Sequence, residues 1–183
     1  MRWLTIFALC LMAPLAGCAT TSPSAYFVEQ TGPYKLDTGD LVRVTVYGDQ
    51  DLSNSYRVGD NGAIAFPLVG NIQVRGQTTN VAASRIAGAL ANGFLRNPNI
   101  AVEIAEYRPF FIQGAVRTSG QFAYLPNMTA RAAISTAGGY TDTADRNRVT
   151  VYRRQGEEMI RGPVDLDFPI FPGDTIVVNE RWF

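Results

Sequence analysis

Between Val58 and Leu90 the apolar period of the chain changes from two to nearly four, and this change constrains the fold most. Asp60-Asn61-Gly62 contains an Asn-Gly pair, whose tolerance of positive φ suits a two-residue hairpin turn. After it Ile64, Phe66 and Leu68 alternate with Ala63 and Ala65, the pattern of a strand that buries one face. Pro67 has no N–H to give a ladder, which predicts an edge strand or one ending there. Ile72 and Val74 form a second short alternation, closed by Gly76. From Thr79 or Asn80, both suitable N-caps, Ala82, Ile86, Leu90 and Phe94 then recur every four residues. Ala83, Ala87 and Ala91 lie beside them, so the segment predicts a helix able to lie close against a sheet. No catalytic constellation falls in the stretch, which reads as scaffold.

The flanking segments extend this pattern. Tyr34-Lys35-Leu36 and the turn Asp37-Thr38-Gly39-Asp40 precede Leu41, Val42, Val44 and Val46, a β-branched alternation with Arg43 and Thr45 on the other face. Arg96-Asn97-Pro98-Asn99 stops the helix, and Ile100, Val102 and Ile104 predict another strand. Residues 34–107 therefore read as one α+β unit. Arg108-Pro109 marks a boundary. In residues 108–183, Phe110 to Val116 and Phe122 to Leu125 predict two strands turned at Ser119-Gly120. Pro126-Asn127-Met128-Thr129 ends the second strand and caps a helix over 130–137 that Gly138-Gly139 stops. A hairpin follows around Gln155-Gly156-Glu157, and Pro172-Gly173-Asp174 introduces a closing strand, Ile176 to Val178. Such an order can wrap one sheet over one helix. Gly39-Asp40-Leu41-Val42-x-Val44 is echoed by Gly173-Asp174-Thr175-Ile176-x-Val178. Both aspartates read as turn-formers in preference to ligands.

The first residues read as an address. Arg2 precedes an apolar run from Leu4 to Leu15, short for a membrane span, and Leu15-Ala16-Gly17-Cys18 follows. Small residues before a cysteine resemble the lipobox of bacterial lipoproteins. That resemblance implies a signal peptide over 1–17 and a lipid on Cys18, with an ordinary signal peptide as the alternative. Ala19 after the cysteine implies, by the usual bacterial sorting rule, the periplasmic face of the outer membrane. Residues 18–33 read as the lipidated N-terminus and tether.

Composition narrows the function classes. With Cys10 leaving and Cys18 acylated, no disulfide is expected, and the chain contains no histidine. The commonest general base and neutral metal ligand are thus missing, so no catalytic site, metal or cofactor is expected. Sixteen acidic residues balance sixteen basic ones, which argues against nucleic acid as partner. All the basic residues but Lys35 are arginines, a choice suited to bidentate carboxylate pairs between subunits or on an acidic ligand.

Taken in order, these residues resemble the outer-membrane polysaccharide export lipoproteins, the group of the Wza capsule translocon. Tyr34-Lys35-Leu36-x-x-Gly39-Asp40-Leu41-Val42-x-Val44-x-Val46 is similar to that family's opening strand. Gly59-Asp60-Asn61-Gly62-Ala63-Ile64-x-Phe66-Pro67-x-x-Gly70 is similar to the core of its export domain. Gln113-Gly114-Ala115-Val116-x-x-x-Gly120-x-Phe122, then Thr129 to Tyr140 and the Pro172-Gly173-Asp174 strand, resemble its soluble-ligand-binding (SLBB) β-grasp domain. The resemblance implies an α+β chain: a small polysaccharide-export α/β domain followed by an SLBB-like β-grasp domain. Ser119-Gly120 departs mildly from the usual Pro-Gly. The sequence given stops at Phe183, where full-length relatives continue into a second β-grasp domain and a pore-lining helix. A short form without that helix is the expectation.

The resemblance further implies a non-catalytic subunit of an exopolysaccharide or capsule export channel. Its expected partners are the polysaccharide, further copies in a ring, an inner-membrane copolymerase and a separate outer-membrane component such as a β-barrel. A monomeric periplasmic lipoprotein that binds a glycan or a partner is the alternative. Tyr140, Arg146, Arg148, Tyr152, Arg153 and Arg154 are the candidates for glycan or intersubunit contact, since aromatic faces and guanidinium groups suit sugars and acidic substituents. Asp142, Asp145, Asp165 and Asp167 could supply a carboxylate pair for glycan hydrolysis, but turn chemistry explains them better.

Overall fold

A computed structural model describes residues 27, 32–156 and 158–181. Cys18 and the targeting segment lie outside the described residues. Among the described residues, twelve elements run in the order β1 (Leu41–Val46), β2 (Asp49–Arg57), β3 (Ala63–Phe66), β4 (Gly70–Gln73), α1 (Thr79–Ala91), β5 (Ile100–Glu106), β6 (Phe110–Gly114), β7 (Gly120–Phe122), α2 (Ala130–Thr136), β8 (Arg148–Gln155), β9 (Glu158–Asp165) and β10 (Thr175–Val178). They form sheets β2-β1-β5, β3-β4 and β7-β6-β10-β8-β9. The buried apolar residues fall into two clusters. One gathers Leu36, β1, β3 and the α1 stripe; the other gathers β6, α2, β8 and β10.

In the first unit β1 is the central strand, antiparallel to both neighbours, and Val42, Val44 and Val46 point to the core while Arg43 is exposed. Helix α1 lies against β5 and buries Ala82, Ile86 and Leu90, the stripe expected from its period. Its N-cap is Thr78, one residue ahead of the expected Thr79 and two ahead of Asn80: the Thr78 hydroxyl accepts from the Val81 N–H at 3.4 Å. Phe94 lies beyond the helix, which ends at Ala91, and is exposed.

Three further differences have local causes. Strand β2 has no apolar alternation, since Leu52 is its single buried residue; its order comes from pairing with β1. The tight hairpin turn is Tyr47-Gly48, which joins β1 to β2, whereas Asn61-Gly62 links strands of different sheets. Gly62 there has φ +76°, and a Cβ on it would lie 2.8 Å from that of Arg75. Leu68, expected on the buried face, is exposed: β3 stops before Pro67, and Leu68 takes φ +68° in a turn closed by the Val69 N–H on the Pro67 carbonyl.

In the second unit β10 runs parallel to β6 and antiparallel to β8, so the last strand enters the middle of the sheet. Helix α2 packs Ala130, Ala133 and Ile134 into the same cluster, capped by Thr129 and stopped by Gly138 and Gly139 at φ +80° and +88°. Strand, strand, helix, hairpin and a central closing strand is the β-grasp order.

Candidate functional site

The surface candidates divide by strand parity. On β8, Val149, Val151 and Arg153 face the core, whereas Arg148 and Arg154 are exposed and Tyr152 is half-buried. Arg153 is only 3% exposed, so a surface contact through it is withdrawn. Arg148 lies across from Asp165 and Tyr152 across from Arg161 in the β8–β9 register. Arg146 stands apart from that row: its guanidinium sits 5.8 Å above the Tyr140 ring. Burial pushes the Tyr140 phenol up, Arg131 and Arg146 pull it back, and its hydroxyl is without a hydrogen-bond partner among the described residues. An open cleft beside Arg146 is lined by Asp142, Asp145, Asn147 and Arg181. The structure thus places Tyr140 and Arg146 at one position and Arg148, Tyr152 and Arg154 at another.

Two of the four acidic candidates have a turn role or an ion-pair partner, and Asp142 is exposed in the lining of the cleft. Asp145 accepts the Asn147 N–H at 2.8 Å, an Asx-type turn, and Asp167 pairs with Arg131 at 3.1 Å. Asp165 is an exposed edge residue opposite Arg148. Among the described residues, no group of three or more His, Cys, Asp or Glu side chains could hold a metal ion.

The densest polar chemistry is elsewhere, at the two Gly-Asp turns. Asp40 and Asp174 are 0% and 1% exposed. Each accepts the backbone N–H three residues earlier at 2.8 Å, from Asp37 and Phe171 respectively. Each follows a glycine in the left-handed region, Gly39 at φ +95° and Gly173 at +87°. Each also has an arginine partner, and the two partner sets differ. Arg153 meets the Asp174 carboxylate through Nε at 2.9 Å and Nη2 at 2.7 Å, and donates from Nη2 to the Pro169 carbonyl at 2.8 Å. Asp40 accepts the Tyr34 hydroxyl at 2.8 Å and the Arg108 backbone N–H at 2.9 Å, with Arg108 Nη1 at 3.4 Å.

Arg108 stands between the turns and so joins the two units. Its Nη1 donates to the Tyr34 hydroxyl at 2.8 Å, and its Nη2 lies 3.5 Å from Asp37. A Cβ on Gly39 would touch Arg108 Cβ at 3.4 Å, and one on Gly173 would lie 2.9 Å from Arg108 Nε. Gly173 N–H donates to the Pro109 carbonyl, and Phe111 N–H to the Asp174 carbonyl, tying the second turn to the same segment. Edge-on rings continue the junction from Tyr34 to Tyr107 at 4.9 Å and on to Tyr124 at 5.4 Å. Sequence reasoning read Arg108-Pro109 only as a boundary. The repeated Gly-Asp was the available signal.

Tyr34 makes a pH prediction. Burial first, and then the Asp40 carboxylate, push its phenol far up, while Arg108 pulls it down. The folded value is raised, so its contribution is complete below the unfolded value of about 10 and is lost as pH rises beyond it. Denaturant unfolding should therefore show stability falling above about pH 10, and Tyr34→Phe should flatten that fall. An unchanged alkaline slope would show that Tyr34 stays accessible to hydroxide.

Residues 28–105 match the family described as "Polysaccharide biosynthesis/export protein", and residues 109–162 match the SLBB domain. The chain is 32% identical over 137 residues to the "Exopolysaccharide production protein ExoF" of Rhizobium meliloti (strain 1021), covering 68% of this chain and 32% of that protein. It is 23% identical over 173 residues to a "Polysialic acid transport protein KpsD" of Escherichia coli, covering 88% of this chain and 31% of that protein. It thus spans about a third of the length of these relatives. With both domains matched in succession, and with these relatives, the chain belongs to the Wza-like polysaccharide export protein family.

Proposed function

We propose that this chain is a lipid-anchored subunit, on the periplasmic face of the outer membrane, of a channel that exports exopolysaccharide or capsule. The observation that supports it most is the succession in one chain of a polysaccharide export domain and an SLBB domain, clasped through Arg108. In this reading the chain makes and breaks no bond. It assembles with further copies into a ring that guides polymer between an inner-membrane copolymerase and an outer-membrane component such as a β-barrel. Among the described residues, no helix is long and apolar enough to cross a membrane. Cys18 carries the lipid. Arg146 over Tyr140, and Arg148, Tyr152 and Arg154 on the exposed sheet face, are the groups offered to acidic sugars or to a neighbouring subunit.

Native mass spectrometry of the detergent-extracted lipoprotein tests the assembly. Closed rings of one stoichiometry are expected; a protein that stays monomeric at micromolar concentration contradicts the channel and leaves a binding lipoprotein. Replacing Arg146, Arg148 and Arg154 together by glutamine should weaken either ring assembly or export. Unchanged rings and unchanged export would remove both roles from these residues.

A further inference from the structure

The buried ion pair Arg153–Asp174 has a lid that comes from far away in sequence. The guanidinium carbon of Arg153 lies 4.4 Å from the Phe171 ring centre, 5.2 Å from that of Phe168 and 5.3 Å from that of Phe27. Phe27 and Phe168 also touch each other, with ring centres 5.0 Å apart at 51°. A guanidinium edge is held by its hydrogen bonds, but its faces are weakly hydrated and favour aromatic cover. Phe171 and Phe168 belong to the same unit as Arg153. Phe27 does not.

Phe27 precedes Tyr34, where the first unit begins, yet it packs against the core cluster of the second unit. We propose that Phe27 is a docking residue that seats the N-terminal leader in the Arg153–Phe168–Phe171 socket, so that the leader departs from the second unit. The occupant of this socket is therefore a segment of the same chain. Its three walls, one charged and two aromatic, select a ring over an aliphatic side chain.

The consequence rests on the lipid-anchor reading above. A leader free up to Tyr34 would give the body sixteen residues of reach from Cys18, about 55 Å when fully extended. Docking at Phe27 shortens this to nine residues, about 30 Å, and holds the second unit nearer the membrane.

Hydrogen exchange on the full mature lipoprotein in detergent, compared with Phe27→Ala, decides the docking. Removing the ring should speed exchange of the Ile170 and Phe171 amides about tenfold, because they follow Phe168 beside the socket and donate, respectively, to the Met128 carbonyl and to the Asp174 carboxylate. Amides of β1 and α1 should keep their protection. Equal exchange at residues 168–171 in both proteins would overturn the proposal. If Phe27→Ala accelerates every amide, Phe27→Leu is read by the same criterion, with faster exchange at 168–171 expected and unchanged exchange overturning. The intact mass of the same samples reports acylation independently. A chain without acyl mass would remove the anchor reading while exchange still decides the docking.

Discussion

Gly114→Ala will be among the most destabilising single substitutions in this chain. Gly114 sits at φ +93°, and a Cβ there would lie 2.2 Å from the Val178 carbonyl oxygen and 3.1 Å from its carbon. Neither is the tip of a flexible side chain: Gly114 is paired with Val178 in the parallel β6–β10 ladder, and the same carbonyl accepts the Ala115 N–H at 2.9 Å. An L-residue in this region costs about 1–2 kcal/mol, and separating two packed strands costs about 1–3 kcal/mol more. The sum, roughly 2–5 kcal/mol, corresponds to a fall of about 5–20 °C in Tm. Gly139→Ala isolates the first contribution, the backbone strain, since Gly139 has φ +88° and nothing within 4 Å of an added Cβ. Thermal unfolding of both variants should show a much smaller loss for Gly139→Ala. Equal losses would mean that strain alone matters and that the β6–β10 contact is looser than described.

The second large effect is expected at Arg153–Asp174. Removing one partner of a buried ion pair leaves an uncompensated charge and costs about 3–5 kcal/mol. Arg153→Met keeps the stem volume and deletes the charge; Asp174→Asn keeps the acceptor for the Phe171 N–H. Each alone should destabilise strongly, and the double variant should be less destabilised than the sum by about 1–3 kcal/mol. The pH dependence follows from Asp174. Burial pushes its carboxyl up, and the Arg153 hydrogen bond and charge pull it back down. Without Arg153 the carboxyl rises further. A raised carboxyl favours the neutral form in the fold, so the penalty is smallest in acid and grows as pH rises above about 4 through the folded value. Arg153→Met should accordingly lie closer to the wild type near pH 4.5 than near pH 7.5. Additive losses with no pH dependence would contradict a buried ion pair.

Much of the architecture could be read because its signals were strong and local. The α1 stripe of Ala82, Ile86 and Leu90 and the Thr129 cap of α2 with its Gly138-Gly139 stop were visible as period, cap and breaker. So was the alternation of β1. Strand β2 was invisible because it buries only Leu52 and owes its order to a partner strand. Leu68 misled because alternation continued across Pro67 while the backbone turned. The Gly-Asp echo was seen as turn chemistry, but its charge partners Arg108 and Arg153 lie 68 and 21 residues away, a distance that no local pattern reveals.

The arginine cluster carries the sharper lesson. Arg146, Arg148, Arg153 and Arg154 looked like one basic patch because they are close in sequence. Strand parity separates them: Arg153 continues the buried series Val149 and Val151, and that parity was already present in the sequence. Composition then misleads, since an arginine in a buried register announces a buried carboxylate more than a surface ligand. Gly114 shows the converse. Its place in the Gln113-Gly114-Ala115-Val116 motif was evident, but the Val178 carbonyl that demands a glycine becomes visible only in the paired strands.

The most direct test of the export reading is the amount of polysaccharide at the surface of cells lacking this chain. Expected is a loss of surface polymer while polymer still forms and accumulates within the envelope, reversed by the wild-type gene. Complementation with the Gly114→Ala variant should restore less surface polymer, in proportion to the folded protein that remains. Normal surface polysaccharide in the deletion strain, with no second homologue to take its place, would contradict the account.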